Sequence, residues 1–378
     1  MQFVAFFAII LGFTGGAWFI VSSFVTDLVP GGARTMLVLW ALSISPLFIL
    51  VRNFMKHGYP SATVRLYAYR PFWYAQLMMI FLAFGSAMGA LVALPFGASF
   101  YGGRWMVLIG APLLVLFGIA GYFGSKQLVV KELELGFKDL PKGLEGMRIV
   151  QLSDLHVGPH TPTSHLTRVA QEAERARADI VAYTGDQVDD YPRDMEVFTQ
   201  YFGKLRGPLG VFAIPGNHDV YAGWLPVRQR LEQMGAMVLV NDAIELERNG
   251  SRFWVVGSGD PAGRQFARVP GSPAPDIEGM LKGVPTGSFV ICLAHNPNLW
   301  PQIAERGVQL TLSGHTHYGQ FAIPRWNWSL AKAFLKLAMG RYERGGSQLY
   351  INPGTNYWGI PFRLGTPAEV TVIVLRSV

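Results

Sequence analysis

Residues 147–156 read MRIVQLSDLH and residues 179–189 read DIVAYTGDQVD. Each is a short apolar run, rich in β-branched residues, that stops at a small residue and then delivers acids or an imidazole. Between them Ser164 to Arg177 has helical periodicity, with Thr163 as its cap. Strand, helix, strand is the βαβ unit of an α/β domain. Further strands are expected at Gly210 to Ile214, Arg252 to Val256, Ser288 to Leu293, Val308 to Leu312, Gln348 to Ile351 and Glu369 to Leu375. The Pro/Gly-rich piece from Val269 to Pro285 reads as a loose loop.

The polar residues gather where these strands end. The first run leads into Asp154 and His156, and the second into Gly185, Asp186 and Asp189. The third leads into Gly216, Asn217, His218 and Asp219, Ser288 to Leu293 into His295, and Val308 to Leu312 into Gly314, His315 and His317. Five of the eight histidines lie in these places. In open α/β sheets, ligands bind beyond the carboxyl ends of the strands, so groups far apart in sequence can meet in one crevice.

The residue types suit a pair of divalent cations. A carboxylate can bridge and partly neutralise two ions, while imidazoles and a side-chain amide complete each shell without excess negative charge. Mixed oxygen and nitrogen ligation without thiolate fits manganese first, with iron or zinc as alternatives. The glycines at 185, 216 and 314 would let the backbone carry ligands close to the ions.

Upstream the texture changes. Of the formal net charge of +7, residues 1–126 carry +6 and the remainder +1. The later part therefore has no basic stripe for nucleic acid, and no nucleic-acid partner is expected. Residues 1–26, 35–51, 71–103 and 105–125 are uncharged, which predicts four membrane spans in a transmembrane region 1–126, followed by the α/β domain 127–378. The uncharged run from Met1 is too long for a signal peptide and has no basic start, so the first span is expected to be retained. Arg52, Lys56, Arg65 and Arg70 between the second and third spans, and Lys126, Lys131, Lys138 and Lys142 after the fourth, predict that the domain faces the cytoplasm. One cysteine, Cys292, excludes an intramolecular disulfide framework.

The order DLH, GDQVD, GNHD, the histidine of LAHNPN, and GHTH resembles the calcineurin-like metallophosphoesterases over roughly residues 128–378. SDLHVG, GNHDVYAG and GHTHYGQ behind membrane spans are similar to a membrane-anchored bacterial subgroup that includes hydrolases of UDP-2,3-diacylglucosamine, a lipid A precursor. Tyr318 after GHTH, and the Asn352 to Gly359 return segment, depart from that subgroup's usual glycines. The resemblance implies a four-layer sandwich, two sheets flanked by helices. It also implies that Asp154, His156 and His317 hold one metal, that Asn217, His295 and His315 hold the other, and that Asp186 bridges them. His218 would serve the leaving oxygen, with Asp219 or Asp189 orienting it, a plain turn or helix-cap role being the equal alternative for each. His165 is expected to face solvent from its helix, and His160 to stand near the phosphate.

The function so implied is hydrolysis of a phosphodiester or pyrophosphate by metal-activated water, on a lipid-linked substrate at a bacterial inner membrane. A phosphoprotein or nucleotide phosphatase is the alternative, and a non-catalytic membrane scaffold or sensor is the rival from another class. No obligate protein partner is inferred. Pro324 to Gly346, with Trp326, Trp328 and Phe334 among five cations, is expected to form a short helix able to touch the bilayer surface.

Overall fold

The computed structural model describes residues 2–55, 60–266 and 271–378, and divides into two units, Met1–Gly121 and Tyr122–Val378. Lys56 of the basic loop, and Val269 and Pro270 of the loose loop, lie outside the described residues.

The first unit holds four helical stretches long and apolar enough to cross a membrane: Ala8–Leu28, Gly32–Asn53, Ala62–Phe96 and Ser99–Gly124. The boundaries differ from the charge-to-charge reading. Arg65 and Arg70 lie on the third stretch rather than in a loop, and Arg104 lies inside the fourth. The Arg104 guanidinium pairs with the Asp27 carboxylate and donates to the Phe24 carbonyl at 3.0 Å, so its charge is compensated without ending the helix. The break falls instead at Gly97, whose φ of 68° is left-handed.

The second unit contains two six-stranded sheets. The strands are β1 (Leu128–Phe137), β2 (Arg148–Leu152), β3 (Ile180–Tyr183), β4 (Gly210–Ala213), β5 (Met237–Val238), β6 (Asp242–Arg248) and β7 (Ser251–Gly257). They continue with β8 (Val290–Leu293), β9 (Leu310–Ser313), the short hairpin β10 (Ala322–Ile323) and β11 (Trp328–Ser329), β12 (Gly340–Arg344), β13 (Ser347–Ile351) and β14 (Ala368–Ser377). One sheet runs β1-β14-β2-β3-β4-β5 and the other β12-β13-β9-β8-β7-β6. The pairs β2–β3, β3–β4, β4–β5, β7–β8, β8–β9 and β9–β13 are parallel.

Period-two alternation assigns each strand's side chains to a layer. Ile149, Ile180, Phe212, Phe253, Ile291, Leu310 and Tyr350 fill the space between the sheets. Val150, Leu152, Val181, Tyr183 and Val211 turn outward, onto Leu166, Phe198, Phe202 and Leu231 of three helices. On the far side Val256, Val290 and Cys292 pack against Ile277, Met280 and Ile303. Helices, sheet, sheet, helices is the expected four-layer sandwich, and each fully buried leucine or phenylalanine in it contributes roughly 1.5–3 kcal/mol.

Two local expectations are corrected. Thr163 is the first residue of the helix Thr163–Arg175, and its cap is Pro162, which makes no side-chain hydrogen bond. Pro324 to Gly346 is not a helix but two single 3-10 turns, Pro324–Trp326 and Leu330–Ala333, followed by strand β12. Asn327 at φ 48° and Gly340 at φ 72° take left-handed backbone there, which interrupts any longer helix.

Candidate metal centre

Five loops leave the carboxyl ends of β2, β3, β4, β8 and β9 and meet. His317 Nε2 lies 3.2 Å from Asp154 Oδ1 and 3.0 Å from His156 Nε2. Nearby, Asn217 Oδ1 is 2.7 Å from His315 Nδ1 and 3.2 Å from His295 Nε2. Between the two groups stands Asp186, with Oδ2 at 3.6 Å from His156 Nε2 and 3.3 Å from His295 Nε2. All seven residues singled out as metal ligands in the sequence are therefore brought together. Cys292 is buried in the helix-side core.

Backbone strain marks the same residues. Asp154, His156, Asp186, His315 and His317 all have φ between 41° and 71°. Outside glycine, that region is sparsely populated and costs of order 1–3 kcal/mol per residue, and such residues cluster at functional sites. Two glycines make the approach possible: a Cβ on Gly216 would collide with Asp186, and one on Gly314 with Asp154 and Ser153.

Support for the cluster comes from fixed hydrogen bonds. Asp154 accepts from the Ser153 hydroxyl at 2.5 Å and from the His315 amide at 2.9 Å. His295 Nδ1 donates to the Thr184 carbonyl at 2.8 Å, which turns Nε2 toward Asp186. Asp189 Oδ1 lies 3.2 Å from His156 Nδ1, behind the ring.

Electrostatics divide these groups: the carboxylates raise His295 and His156 above the ordinary imidazole value, whereas the other two rings and both acids are lowered. Burial would raise Asp154, but His317 and His295 hold its carboxyl well below the usual range. Asp186 is likewise lowered against its burial, first by His295. Burial pushes His315 and His317 down to about 4, so both rings are neutral near pH 7 and keep a lone pair.

Of the two acids named beside His218, Asp189 is the one that meets its ring. His218 Nδ1 donates to the Asp189 carbonyl at 2.8 Å. The Asp219 carboxylate instead accepts from the amides of Gly216 at 2.8 Å, Gln187 at 3.0 Å and Val188 at 3.2 Å, closing the start of the helix Asn217–Gln233. His165 is also corrected: it is buried, and its Nε2 meets the Thr355 carbonyl at 2.8 Å. His160 is half-buried, and its carbonyl accepts from the Tyr357 hydroxyl at 2.7 Å.

Sequence reasoning passed over the surroundings of His218. The rings of Tyr221 and Trp358 stand 5.8 and 5.9 Å from it, edge to face, and each residue is 50% exposed. The Gln320 amide grips the Trp358 backbone twice, accepting from its N–H at 2.9 Å and donating to its carbonyl at 3.0 Å. Asp260, after β7 at the same sheet end as His295, is buried, with one carboxylate oxygen unpartnered. Its position one strand over from His295 was a signal the sequence offered.

The family model for the calcineurin-like phosphoesterases matches residues 147–319, the stretch that holds all five loops. An uncharacterized metallophosphoesterase of Aquifex aeolicus is 31% identical over 272 residues, covering 70% of this chain and 98% of that protein. The chain belongs to the calcineurin-like metallophosphoesterases, metal-dependent hydrolases of phosphoesters. A zebrafish transmembrane protein with metallophosphoesterase domain is 31% identical over 72% of this chain, which spans 62% of that relative's length. The metallophosphoesterase YkuE of Bacillus subtilis is 27% identical over 69% of this chain and 90% of its own.

The donor set fits the divalent metals of the family. Two carboxylates, one amide oxygen and four imidazoles, with no thiolate, are the ligands of a borderline-hard cation. The donor atoms of Asp154, His156, His317 and Asp186, at neighbouring separations of 3.0 to 3.6 Å, are spaced as coordination at about 2.0–2.2 Å requires.

Proposed function

We propose that this metallophosphoesterase is a membrane-anchored, dinuclear phosphohydrolase that cleaves a phosphodiester or pyrophosphate bond in a lipid-linked substrate, with UDP-2,3-diacylglucosamine as the sharpest candidate. The observation that carries the reading is Asp186 standing between two groups of ligands, with His218 alongside. Asp154, His156 and His317 would hold one cation, and Asn217, His295 and His315 the other, with Asp186 shared and manganese the first choice of metal. When bound, such a pair supplies Lewis acidity toward phosphoryl oxygens and a lowered pKa for water.

The chain's own residues do the rest. His218, its Nδ1 committed to the Asp189 carbonyl, keeps Nε2 for the leaving oxygen. The Asp186 carboxylate accepts from the His218 amide at 2.8 Å, which ties the acid's backbone to the bridging position. Tyr221 and Trp358 beside that imidazole suit a leaving group with a ring or an apolar face. The Lys/Arg distribution supports a cytoplasmic domain at a bacterial inner membrane.

The test is UMP release from UDP-2,3-diacylglucosamine by the manganese-loaded, detergent-purified chain, beside Asp186→Asn. Release by the first and not the second supports the reading. No release, with a simple aryl phosphodiester still cleaved, would keep the metal chemistry and remove the lipid A assignment. A reporter fused after Val378 gives the side of the membrane.

A further inference from the structure

Among the described residues Arg363 is the largest whose side chain is wholly buried. Among the described residues it forms no ion pair, so its charge is met by backbone dipoles. Nη1 donates to the Thr366 carbonyl at 3.1 Å, while Nη2 faces the carbonyls of Pro353 at 2.7 Å, Asn356, and Gly354 at 3.3 Å. The same nitrogen stands 3.3 Å from His317 Nδ1. A guanidinium is expensive to desolvate and is rarely kept in a core without a task.

What it gathers is the segment on which one half of the centre rests. Thr355 exchanges hydrogen bonds with Ser153, its amide donating to the Ser153 carbonyl at 2.7 Å and its hydroxyl accepting from the Ser153 amide at 3.1 Å. The Asn356 side chain donates to the Leu155 carbonyl at 2.9 Å. Residues 153 and 155 flank Asp154, and Leu155 precedes His156. Arg363 thus touches the third ligand, His317, directly, and holds closed the segment that props up the other two. Its hydrogen bonds reach neither Asn217 nor His295.

We infer that Arg363 is a positioning residue for the Asp154–His156–His317 half of the centre, setting the affinity of that half independently of the other. Its planar fork can span carbonyls on both sides of the segment, whereas the single ammonium of lysine cannot. The inference rests on the dinuclear reading above.

The experiment titrates chelator-stripped, detergent-purified full chain with Mn2+ and follows free Mn2+ by electron paramagnetic resonance. Thermal unfolding of the metal-free protein is recorded in parallel. Arg363→Lys should leave one binding event at wild-type affinity and weaken the other by about 10- to 100-fold, the usual cost of losing a ligand's supporting partner. kcat should fall with it while KM holds. Gly354→Ala approaches from the other side, because its Cβ would stand 2.6 Å from Arg363 Nη2 and 2.8 Å from His317 Nδ1. It should produce the same one-sided loss and keeps the test open if Arg363→Lys does not fold. Unchanged binding in both variants overturns the inference, as does equal weakening of both events together with a lowered melting temperature. The dinuclear reading fails separately, if wild-type protein takes up fewer than two ions or Asp154→Asn leaves both events intact.

Discussion

His156 and His317 turn their Nε2 atoms toward each other across 3.0 Å, with Asp154 Oδ1 only 3.2 Å from the second ring. Two imidazole lone pairs and a carboxylate converging on one point are a cation's environment. His156→Ala should lower bound manganese by about one ion per chain and reduce kcat by at least about 100-fold, since even outer partners of ligands cost 10- to 100-fold. Metal analysis after gel filtration checks the first figure, and full occupancy in the variant would contradict it.

His218 stands beside the cluster with one nitrogen occupied by the Asp189 carbonyl. A proton donor matters most when the leaving group is basic. His218→Asn should therefore lower kcat by roughly 10²- to 10⁴-fold on an alkyl leaving group and far less on p-nitrophenolate. Equal losses on both would remove His218 from leaving-group chemistry.

Trp358 is presented beside His218 by the twofold grip of Gln320. Trp358→Ala should raise KM for a sugar- or lipid-linked substrate by about 2- to 12-fold, the worth of one aromatic contact, and leave a dimethyl-type diester unaffected. A KM that moves equally for both substrates would speak for a general distortion of the site.

The corrected fold of Pro324 to Gly346 changes which residues would meet lipid under the membrane-anchored reading proposed above. Trp326 is 73% and Phe334 82% exposed, whereas Trp328 packs against Phe321 with ring centroids 5.3 Å apart. Serine at 326 and 334 should raise the apparent KM for vesicle-presented substrate and leave stability within about 0.5 kcal/mol, as expected of exposed positions. Trp328→Ser should instead lower the melting temperature. Vesicle kinetics and calorimetry on the same samples separate the two effects.

Burial lifts the Asp260 carboxyl to about 6, against the opposing pull of His295. Unfolded, the group titrates near the ordinary aspartate value of about 3.9. Between those values the folded chain keeps a proton that the unfolded chain has released. The stability contributed by this group is thus complete below about pH 4 and is lost as pH rises through about 6, by at most about 3 kcal/mol. Asp260→Asn should flatten that slope in chelator-treated protein and raise the melting temperature above pH 6. A uniform shift at all pH values would contradict the assignment.

Most of the strands and every candidate ligand of the cluster were legible in the sequence because their signals are local. A β-branched run that ends in glycine and a metal-competent side chain carries its own reading, as at Val181 to Asp186. β1 was missed because Lys131, Glu132 and Glu134 interrupt its apolar residues, as befits an edge strand half open to solvent. His165 was misread because its partner, the Thr355 carbonyl, lies 190 residues away. Arg363 left no trace, since carbonyls serve as its acceptors and any residue can supply one. Asp219 reads in the sequence equally as a partner of His218 and as a helix cap, and its place at the helix start directs its oxygens to backbone amides.

The strand β14 lies between β1 and β2, parallel to the first and antiparallel to the second. It leaves the ribosome after every other strand described, some 216 residues behind β2. At about 5–20 residues per second, β2 waits roughly 10–40 s for that neighbour. Until then the β14-facing edge of β2, the strand whose following loop carries Asp154 and His156, stands unpaired while the apolar helices upstream have already been made. Under the membrane-anchored reading proposed above, the upstream helices are therefore made, and free to insert, before the domain can close, and a nascent chain stalled before Ala368 would lack the strand that joins β1 to β2.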